Sequence, residues 1–295
     1  MVPSKAVSVA VNIDSKLHGR DDARVSVFDH GFLFGEGVYE VLRTFEQRPF
    51  LYPEHIRRLH ASAARIALES PVSDATLLDR IRETMAAAGL EGEAYIRVLL
   101  TRGVGEIVYD PASAPHPTLV IIVKPHADPP PNALSDGVRL ALVSVVRNHP
   151  GSVDPAIKSN NLLNNALAMQ QAYREGAFEA LMKNHRGELC ECAQSNVFVV
   201  RDGVLQTPPA EAGLLVGVTR NFVIELAASI GVPVEERALH EPDLTHVQEA
   251  FITSTTRDIV PVVQVGTYTI GAGTPGPVTR RLMQAFTAAI PSRLS

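Results

Sequence analysis

Four prolines fall within nine residues, in Lys124-Pro125-His126-Ala127-Asp128-Pro129-Pro130-Pro131-Asn132. Proline lacks the amide hydrogen that a helix interior or a central strand needs, so neither element can run through this stretch. The chain of 295 residues is therefore expected to divide here, and a chain of that length ordinarily makes about two domains. The expected organisation is a small N-terminal α/β domain over 1–124, a linker over 125–131 and a larger C-terminal domain over 132–295.

Patterning on both sides of the prolines mixes strands with helices. Val7, Val9, Val11 and Ile13 alternate with small or polar residues, which predicts a half-buried strand. Val38 to Phe45 is rich in strand formers, and Phe50 to Tyr52, following Gln47-Arg48-Pro49, predicts the second arm of a hairpin. Pro53 stands where a first-turn proline is tolerated, and Ile56, Leu59, Ala63, Ile66 and Ala67 then recur at helical spacing. A second helix is predicted over Ala75–Ala88, stopped by Gly89, with strands over Tyr95–Leu100 and Leu119–Val123. Beyond the prolines, strands are predicted over Arg139–Val146, 179–183, 188–192, 197–201, Ala250–Thr253 and Val260–Val265. Helices are predicted over Leu162–Arg174, Val218–Ile230 and from about Pro277. The fold class expected is mixed α and β in both halves.

Composition narrows the partners. Lys plus Arg is 27 against 32 for Asp plus Glu, a net charge of −5, which argues against non-specific binding to nucleic acid or an anionic membrane, where a basic face is expected. Tryptophan is absent and aromatics are 5%, which argues against base stacking as the main task. No apolar run reaches membrane-spanning length, and Met1 to Ala10 lacks the charged start and apolar centre of a secretory signal. Cys190 and Cys192 are too close together to staple a fold, so a reducing, cytoplasmic location is expected.

Local features carry the chemistry, and each has an ordinary reading beside the functional one. Gly271-Ala272-Gly273-Thr274-Pro275-Gly276 matches a dinucleotide fingerprint, but no further strand with its acid can follow before Ser295, so a turn is expected. No cysteine or histidine cluster has zinc spacing, and no metal is expected. Gly217-Val218-Thr219-Arg220 opens a predicted helix, where exposed amides and the positive helix end can seat an anion; the ordinary reading is a plain helix start. Glu191 lies in Leu189-Cys190-Glu191-Cys192-Ala193, where strand alternation puts Leu189 and Glu191 on one face and the cysteines on the other. It is either a carboxylate that meets a cation or an ordinary solvent-facing edge residue. Lys158 precedes a predicted helix start, whose dipole lowers a lysine pKa toward what a Schiff-base lysine needs; a surface lysine is the ordinary alternative.

These features occur together and in order. The run Phe34-Gly35-Glu36-Gly37-Val38-Tyr39-Glu40 is followed by His55-Ile56-Arg57-Arg58-Leu59, Tyr95-Ile96-Arg97 and Ile157-Lys158-Ser159. Glu191 to Phe198, Gly217 to Arg220, Thr253-Ser254-Thr255-Thr256 with Ile259 to Val262, and Gly276 to Thr279 complete the set. Over nearly its whole length the chain resembles the class IV aminotransferases, the fold-type-IV pyridoxal-phosphate enzymes that include branched-chain and D-amino acid aminotransferases and 4-amino-4-deoxychorismate lyases.

The resemblance implies a two-domain enzyme that uses pyridoxal 5′-phosphate to move an amino group from an amino acid to a 2-oxo acid. It implies Lys158 as the catalytic lysine that holds the cofactor and shuttles the substrate proton. Glu191 is implied as the partner of the ring nitrogen, with Arg58, Val218, Thr219 and Thr255 around the phosphate. Tyr39, Tyr95, Arg97 and Thr256 are implied to line the substrate pocket, with a structural ion pair as the other reading of Arg97. Tyr95-Ile96-Arg97 resembles the branched-chain type, whereas Tyr39, Val41, Leu162 and Ser254-Thr255-Thr256 resemble the D-amino acid enzymes. The Arg-x-His carboxylate trap of those enzymes is missing near Ile107-Val108-Tyr109. Branched-chain activity is therefore placed first, D-amino acid activity second and the lyase third. A homodimer is implied by the family, with Tyr109 and its loop suited to reach a neighbouring site.

Overall fold

The computed structural model describes residues 9–295, so Val7 of the predicted first strand lies outside the described residues. Two compact units form, one from Met1–Ala127, Ile157–Asn161 and Arg293–Ser295, the other from Asp128–Ala156 and Leu162–Ser292. Among the described residues no helix is long and apolar enough to cross a membrane.

The first unit is an antiparallel sheet backed by two helices. Its strands are β1 (Ala10–Ile13), β2 (Lys16–Gly19), β3 (Gly37–Phe45), β4 (Arg48–Pro49), β5 (Ala94–Thr101) and β6 (Thr118–Pro125), in the order β2-β1-β6-β5-β3-β4. Its helices are α1 (His30–Leu33), α2 (Tyr52–Ala64) and α3 (Asp74–Ala88). Register sets Val38 opposite Leu100 and Leu42 opposite Ile96, then Ile96 opposite Val123 and Val98 opposite Ile121. These side chains share one face and pack with Ile56, Leu59, Leu77 and Ile81 of α2 and α3. Truncating a fully buried member such as Ile81 to alanine is expected to cost about 2–5 kcal/mol. Period-two alternation sends Tyr39, Val41, Tyr95 and Arg97 to the opposite face.

One predicted arm shifts. The hairpin after β3 closes through Glu46 and Gln47, both at positive φ (52° and 59°), so β4 is Arg48–Pro49 and not Phe50–Tyr52. That mirror-image turn usually carries Asn-Gly. Here Glu93 supports it by accepting from the Glu46 amide at 2.8 Å, and Tyr52 opens α2 with Pro53 in its first turn. Helix α3 follows expectation, capped by the Ser73 hydroxyl on the Thr76 amide and closed by left-handed Gly89.

Residues 157–161 lie along the edge of β3. The Tyr39 amide donates to the Lys158 carbonyl and the Asn160 amide to the Gly37 carbonyl, each at 2.9 Å. Only glycine fits at position 37, because a Cβ there would sit 2.7 Å from Asn160 Nδ2 and 2.9 Å from the Leu100 carbonyl.

The second unit contains α4 (Pro131–Ser135), β7 (Val138–Val146), α5 (Leu163–Arg174), β8 (Glu179–Lys183), β9 (Glu188–Cys192), β10 (Asn196–Arg201) and β11 (Val204–Thr207). It continues with α6 (Val218–Ser229), β12 (Val234–Glu236), β13 (Leu239–His240), β14 (Glu249–Ser254), β15 (Asp258–Val265), β16 (Tyr268–Thr269) and α7 (Pro277–Ala289). Its sheet runs β12-β11-β10-β14-β15-β7-β8-β9-β13, with β16 on β15. Strands β7 and β8 are parallel, so a crossover must join them, and α5 supplies it, packing Ala168, Met169 and Ala172 on Ala141, Val143 and Ala180. Helices α6 and α7 meet edge-to-face through Phe222 and Phe286.

The glycine run near the C-terminus is a turn, with Gly271 and Gly273 at positive φ and Gly276 as the N-cap of α7. In place of a nucleotide phosphate, the Glu249 carboxylate meets the Val278 and Thr279 amides of that helix at 3.0 and 2.7 Å.

Candidate active site

In the first unit the functional side chains come from β3, β5, α2 and the 157–161 segment. The Lys158 amide donates to Ser62 Oγ of α2 at 3.2 Å, so strand edge and helix together fix the lysine backbone. Its Nζ lies 4.6 Å from the Tyr39 ring centroid, and the Arg97 guanidinium lies 4.0 Å from the same centroid. No carboxylate pairs with Arg97 among the described residues, so the ion-pair reading of that arginine is not what the structure contains. Tyr95, two residues earlier on the same face, carries Lys124 Nζ over its ring at 4.8 Å.

Helix α2 turns one stripe toward the sheet, His55, Arg58 and Ser62, at the i, i+3, i+7 spacing of a helix face. Opposite stands Glu40 of β3. Arg58 donates from Nε to Glu40 Oε1 at 2.7 Å and from Nη2 to Oε2 at 2.9 Å, and His55 Nδ1 lies 2.7 Å from Oε2. Burial pushes the Glu40 carboxyl up, but the Arg58 charge and the hydrogen bonds from Arg58 and His55 outweigh it and hold the group well below the usual carboxylate range. Burial lowers the His55 pKa. The loop before β3 is fixed separately: Glu36 accepts from Arg102 Nε at 2.7 Å, and buried His30 sits 2.8 Å from the Glu106 carbonyl.

In the second unit Glu191 is 5% exposed. Arg147 Nε donates to its Oε1 at 2.7 Å, and the Leu215 amide to its Oε2 at 3.1 Å. Arg147 also donates from Nη1 to Asn164 Oδ1 at 3.2 Å. Strict alternation does not hold around the acid. Leu181 pairs with Cys192 but Lys183 with Leu189, so β9 carries one extra residue. That bulge returns Leu189 and Cys192 to one apolar cluster, while Cys190 enters another with Ala212 and Leu214. The edge-strand reading of Glu191 fails with it. Both thiols are buried and unpaired, and burial pushes their pKa values up.

Helix α6 starts at Val218 with Gly217 as N-cap and no side chain capping it. The first-turn amides of any helix lack intrahelical partners, and here Val218 and Thr219 are themselves buried. A Cβ on Gly217 would lie 2.1 Å from Asn196 Oδ1, so glycine alone allows this approach. Thr253 of β14 pairs opposite Asn196, and the Thr253 and Ser254 hydroxyls are buried without a hydrogen-bond partner. Thr255 and Thr256 occupy the turn that follows. That turn is held by Arg257, which donates to buried Glu179 at 2.5 Å; Glu179 also accepts from Ser195 Oγ at 2.9 Å.

The structure thus groups Arg58, Lys158, Tyr39, Tyr95 and Arg97 in the first unit, and Glu191, Val218, Thr219, Thr255 and Thr256 in the second. Sequence reasoning did not single out Arg147 or Asn164 beside Glu191, nor assign roles to Glu40 and His55 beside Arg58. For His55 a signal existed: with Arg58 and Ser62 it makes a polar i, i+3, i+7 stripe on a helix whose neighbouring inward positions Ile56, Leu59 and Ala63 are apolar.

Comparison with known proteins decides the family. Residues 37–265 match the family model described as amino-transferase class IV.

This chain belongs to the class IV aminotransferases.

Among this aminotransferase's relatives, a Methanocaldococcus jannaschii protein provisionally named as a branched-chain-amino-acid aminotransferase is 38% identical over 94% of each chain. The D-alanine aminotransferase of Listeria monocytogenes is 36% identical, again over 94% of each. The crystal structure of Escherichia coli branched-chain amino acid aminotransferase superposes with a TM-score of 0.91 at 30% identity, covering 97% of this chain and 96% of that one. A second branched-chain amino acid aminotransferase, crystallised in complex with N-(5′-phosphopyridoxyl)-L-glutamate, gives a TM-score of 0.89 at 28% identity, over 96% and 94%. The mixed α and β fold expected from patterning is therefore that of the fold-type-IV aminotransferases.

Proposed function

We propose that this aminotransferase uses pyridoxal 5′-phosphate to pass an amino group from a branched-chain amino acid to a 2-oxo acid. The observation that carries the reading is the Tyr39 ring, on which Lys158 Nζ and the Arg97 guanidinium converge at 4.6 and 4.0 Å. Chemistry at the Cα of an amino acid needs a proton-transferring amine and a carboxylate-binding cation within one small substrate's reach, and these two groups meet that need.

The residues present fit the cofactor. Donors meet both oxygens of Glu191, the surroundings of an ionised carboxylate. An uncapped helix start beside partnerless buried hydroxyls suits a phosphate. When bound, pyridoxal phosphate supplies an electron sink for loss of the Cα proton and carries the amino group between half-reactions.

On this reading Lys158 would hold the cofactor and would carry the proton between the substrate Cα and the C4′ carbon of the cofactor. Glu191 keeps a proton on the ring nitrogen. Arg58, the Val218 and Thr219 amides and the Thr255 hydroxyl bind the phosphate. Tyr95, Arg97 and Thr256 orient the substrate carboxylate, and Tyr39 walls the pocket. The N-terminal unit is the small domain and the C-terminal unit the large one, which supplies Glu191, Val218, Thr219 and Thr255 to the cofactor. A second copy of the chain is the natural cover for Val27, Phe28, Phe32, Ile107 and Tyr109, which stand exposed on α1, the segment before it and the neighbouring loop after β5. Buried, unpaired cysteines suit the cytoplasm.

A half-reaction panel tests the substrate. L-leucine is expected to convert the bound cofactor faster than D-alanine or aminodeoxychorismate. The reverse order with D-alanine would select the second reading, which the Listeria relative and the Tyr39, Val41 and Leu162 positions favour. A colourless protein that takes up no pyridoxal phosphate would contradict both.

A further inference from the structure

Glu40 lies near the middle of β3, on the face toward α2, with no exposed surface. A buried charge is costly unless donors meet it. Arg58 meets it twice and His55 once. An ionised carboxylate only accepts, so His55 Nδ1 carries the hydrogen, and burial keeps the ring neutral. The histidine therefore steadies Glu40 without placing a second cation beside Arg58.

Arg58 is not sealed in as its acid is; its side chain keeps 14% exposure against 0% for Glu40. A guanidinium is planar, with its N–H groups in a fixed fork. Anchoring the Nε edge on a rigid strand sets the plane of the whole group and the direction in which it meets an anion.

We propose that Glu40, steadied by His55, is the positioning residue that presents Arg58 to the phosphate of the cofactor. The inference rests on the assignment of Arg58 given above. Removing the Glu40 charge has two opposed effects. It releases the guanidinium from its fixed plane, and it removes a negative charge 2.7 Å from the cation, which by itself favours an anion. Orientation prevails, because a bidentate contact with phosphate depends on the plane, whereas the added attraction is screened by salt.

Reconstitution of the apoprotein with pyridoxal 5′-phosphate and, separately, with pyridoxal isolates phosphate recognition as a ratio, the dissociation constant of pyridoxal divided by that of pyridoxal 5′-phosphate. Glu40→Gln is expected to weaken the phosphate ester about tenfold to a hundredfold, the range for a hydrogen bond to a charged group, and to leave pyridoxal within about twofold. Glu40→Asp, which keeps the charge but shortens the reach, should fall between, and it carries the test alone if the glutamine variant does not fold. Arg58→Ala should lower the ratio at least as far, and adding Glu40→Gln to it should change nothing more. An unchanged or raised ratio in the Glu40 variants, with Arg58→Ala lowering it, overturns the inference. An Arg58→Ala protein with an unmoved ratio contradicts instead the assignment of Arg58, and a wild-type protein that binds neither compound contradicts the proposed function.

Discussion

The two units each bury an arginine–glutamate pair, and on the proposed assignments the pairs are built in opposite senses. In the first, Glu40 is the sealed member and Arg58 the one that keeps some exposure. In the second, Arg147 and Glu191 are about equally buried at an equal 2.7 Å, and the acid is the member assigned to the ligand. Each brace has a further partner of its own, His55 for Glu40 and Asn164 for Arg147. What differs is the sign presented to the ligand, a cation for a phosphate in one case and an anion for a ring nitrogen in the other. A buried ion pair is thus better understood as a mounting for one member than as a source of stability, since a well-packed apolar pair would often be as stable.

The largest effect should come from outside both pairs. Lys158→Ala is expected to lose turnover by about a thousandfold or more, the upper range for a positioned acid–base group, and to lose the visible colour of the bound cofactor. Glu191→Gln comes next, with the cofactor retained and the half-reaction slowed about a hundredfold in stopped-flow measurements, because a neutral amide no longer holds a proton on the ring. Full-speed proton transfer in that variant would remove Glu191 from the working end of its pair. Arg147→Leu should slow the same step about tenfold while Glu191 remains, since the acid keeps the Leu215 amide but loses its charge-assisted donor. A Glu191→Gln, Arg147→Leu double variant slowed about tenfold beyond Glu191→Gln alone would deny that Arg147 acts through Glu191.

The smallest effect is on stability against pH and concerns the first pair alone. Glu40 is held below the ordinary value of 4.5 and His55 below 6.5, so both bind protons more readily when the chain is unfolded. Stability is then expected to fall with pH, from about 6.5 downward through His55 and from about 4.5 downward through Glu40. Denaturant titrations between pH 7 and pH 4 should show this loss, and a shallower one below pH 4.5 for Glu40→Gln. An identical slope in both proteins would detach Glu40 from the acid response.

Much of this architecture was legible in the sequence where a signal is local and repeated. Short runs rich in strand formers located β5, β6 and β8, and Gly89 located the end of α3, because these signals depend on neighbours within a few residues. The hairpin arm after β3 was misplaced because its turn uses Glu46 and Gln47 at positive φ, where no glycine or asparagine announces it. The bulge in β9 was invisible because register is a property of two strands, and Leu189, read alone, alternates normally. Site residues that belong to recognisable runs, such as Lys158 and Arg58, could be named from them. Their mountings could not, since Arg147 lies 44 positions from Glu191 and Glu40 lies 18 from Arg58, joined only by the fold.

The most direct test of the central claim is chemical. The chain has five lysines, Lys5, Lys16, Lys124, Lys158 and Lys183. Borohydride reduction of the pyridoxal-phosphate-loaded protein, followed by peptide mapping by mass spectrometry, should place one phosphopyridoxyl group on Lys158 and none on the others. A label on any of the other four, or an unmodified Lys158 in a protein that still transaminates, would contradict the account.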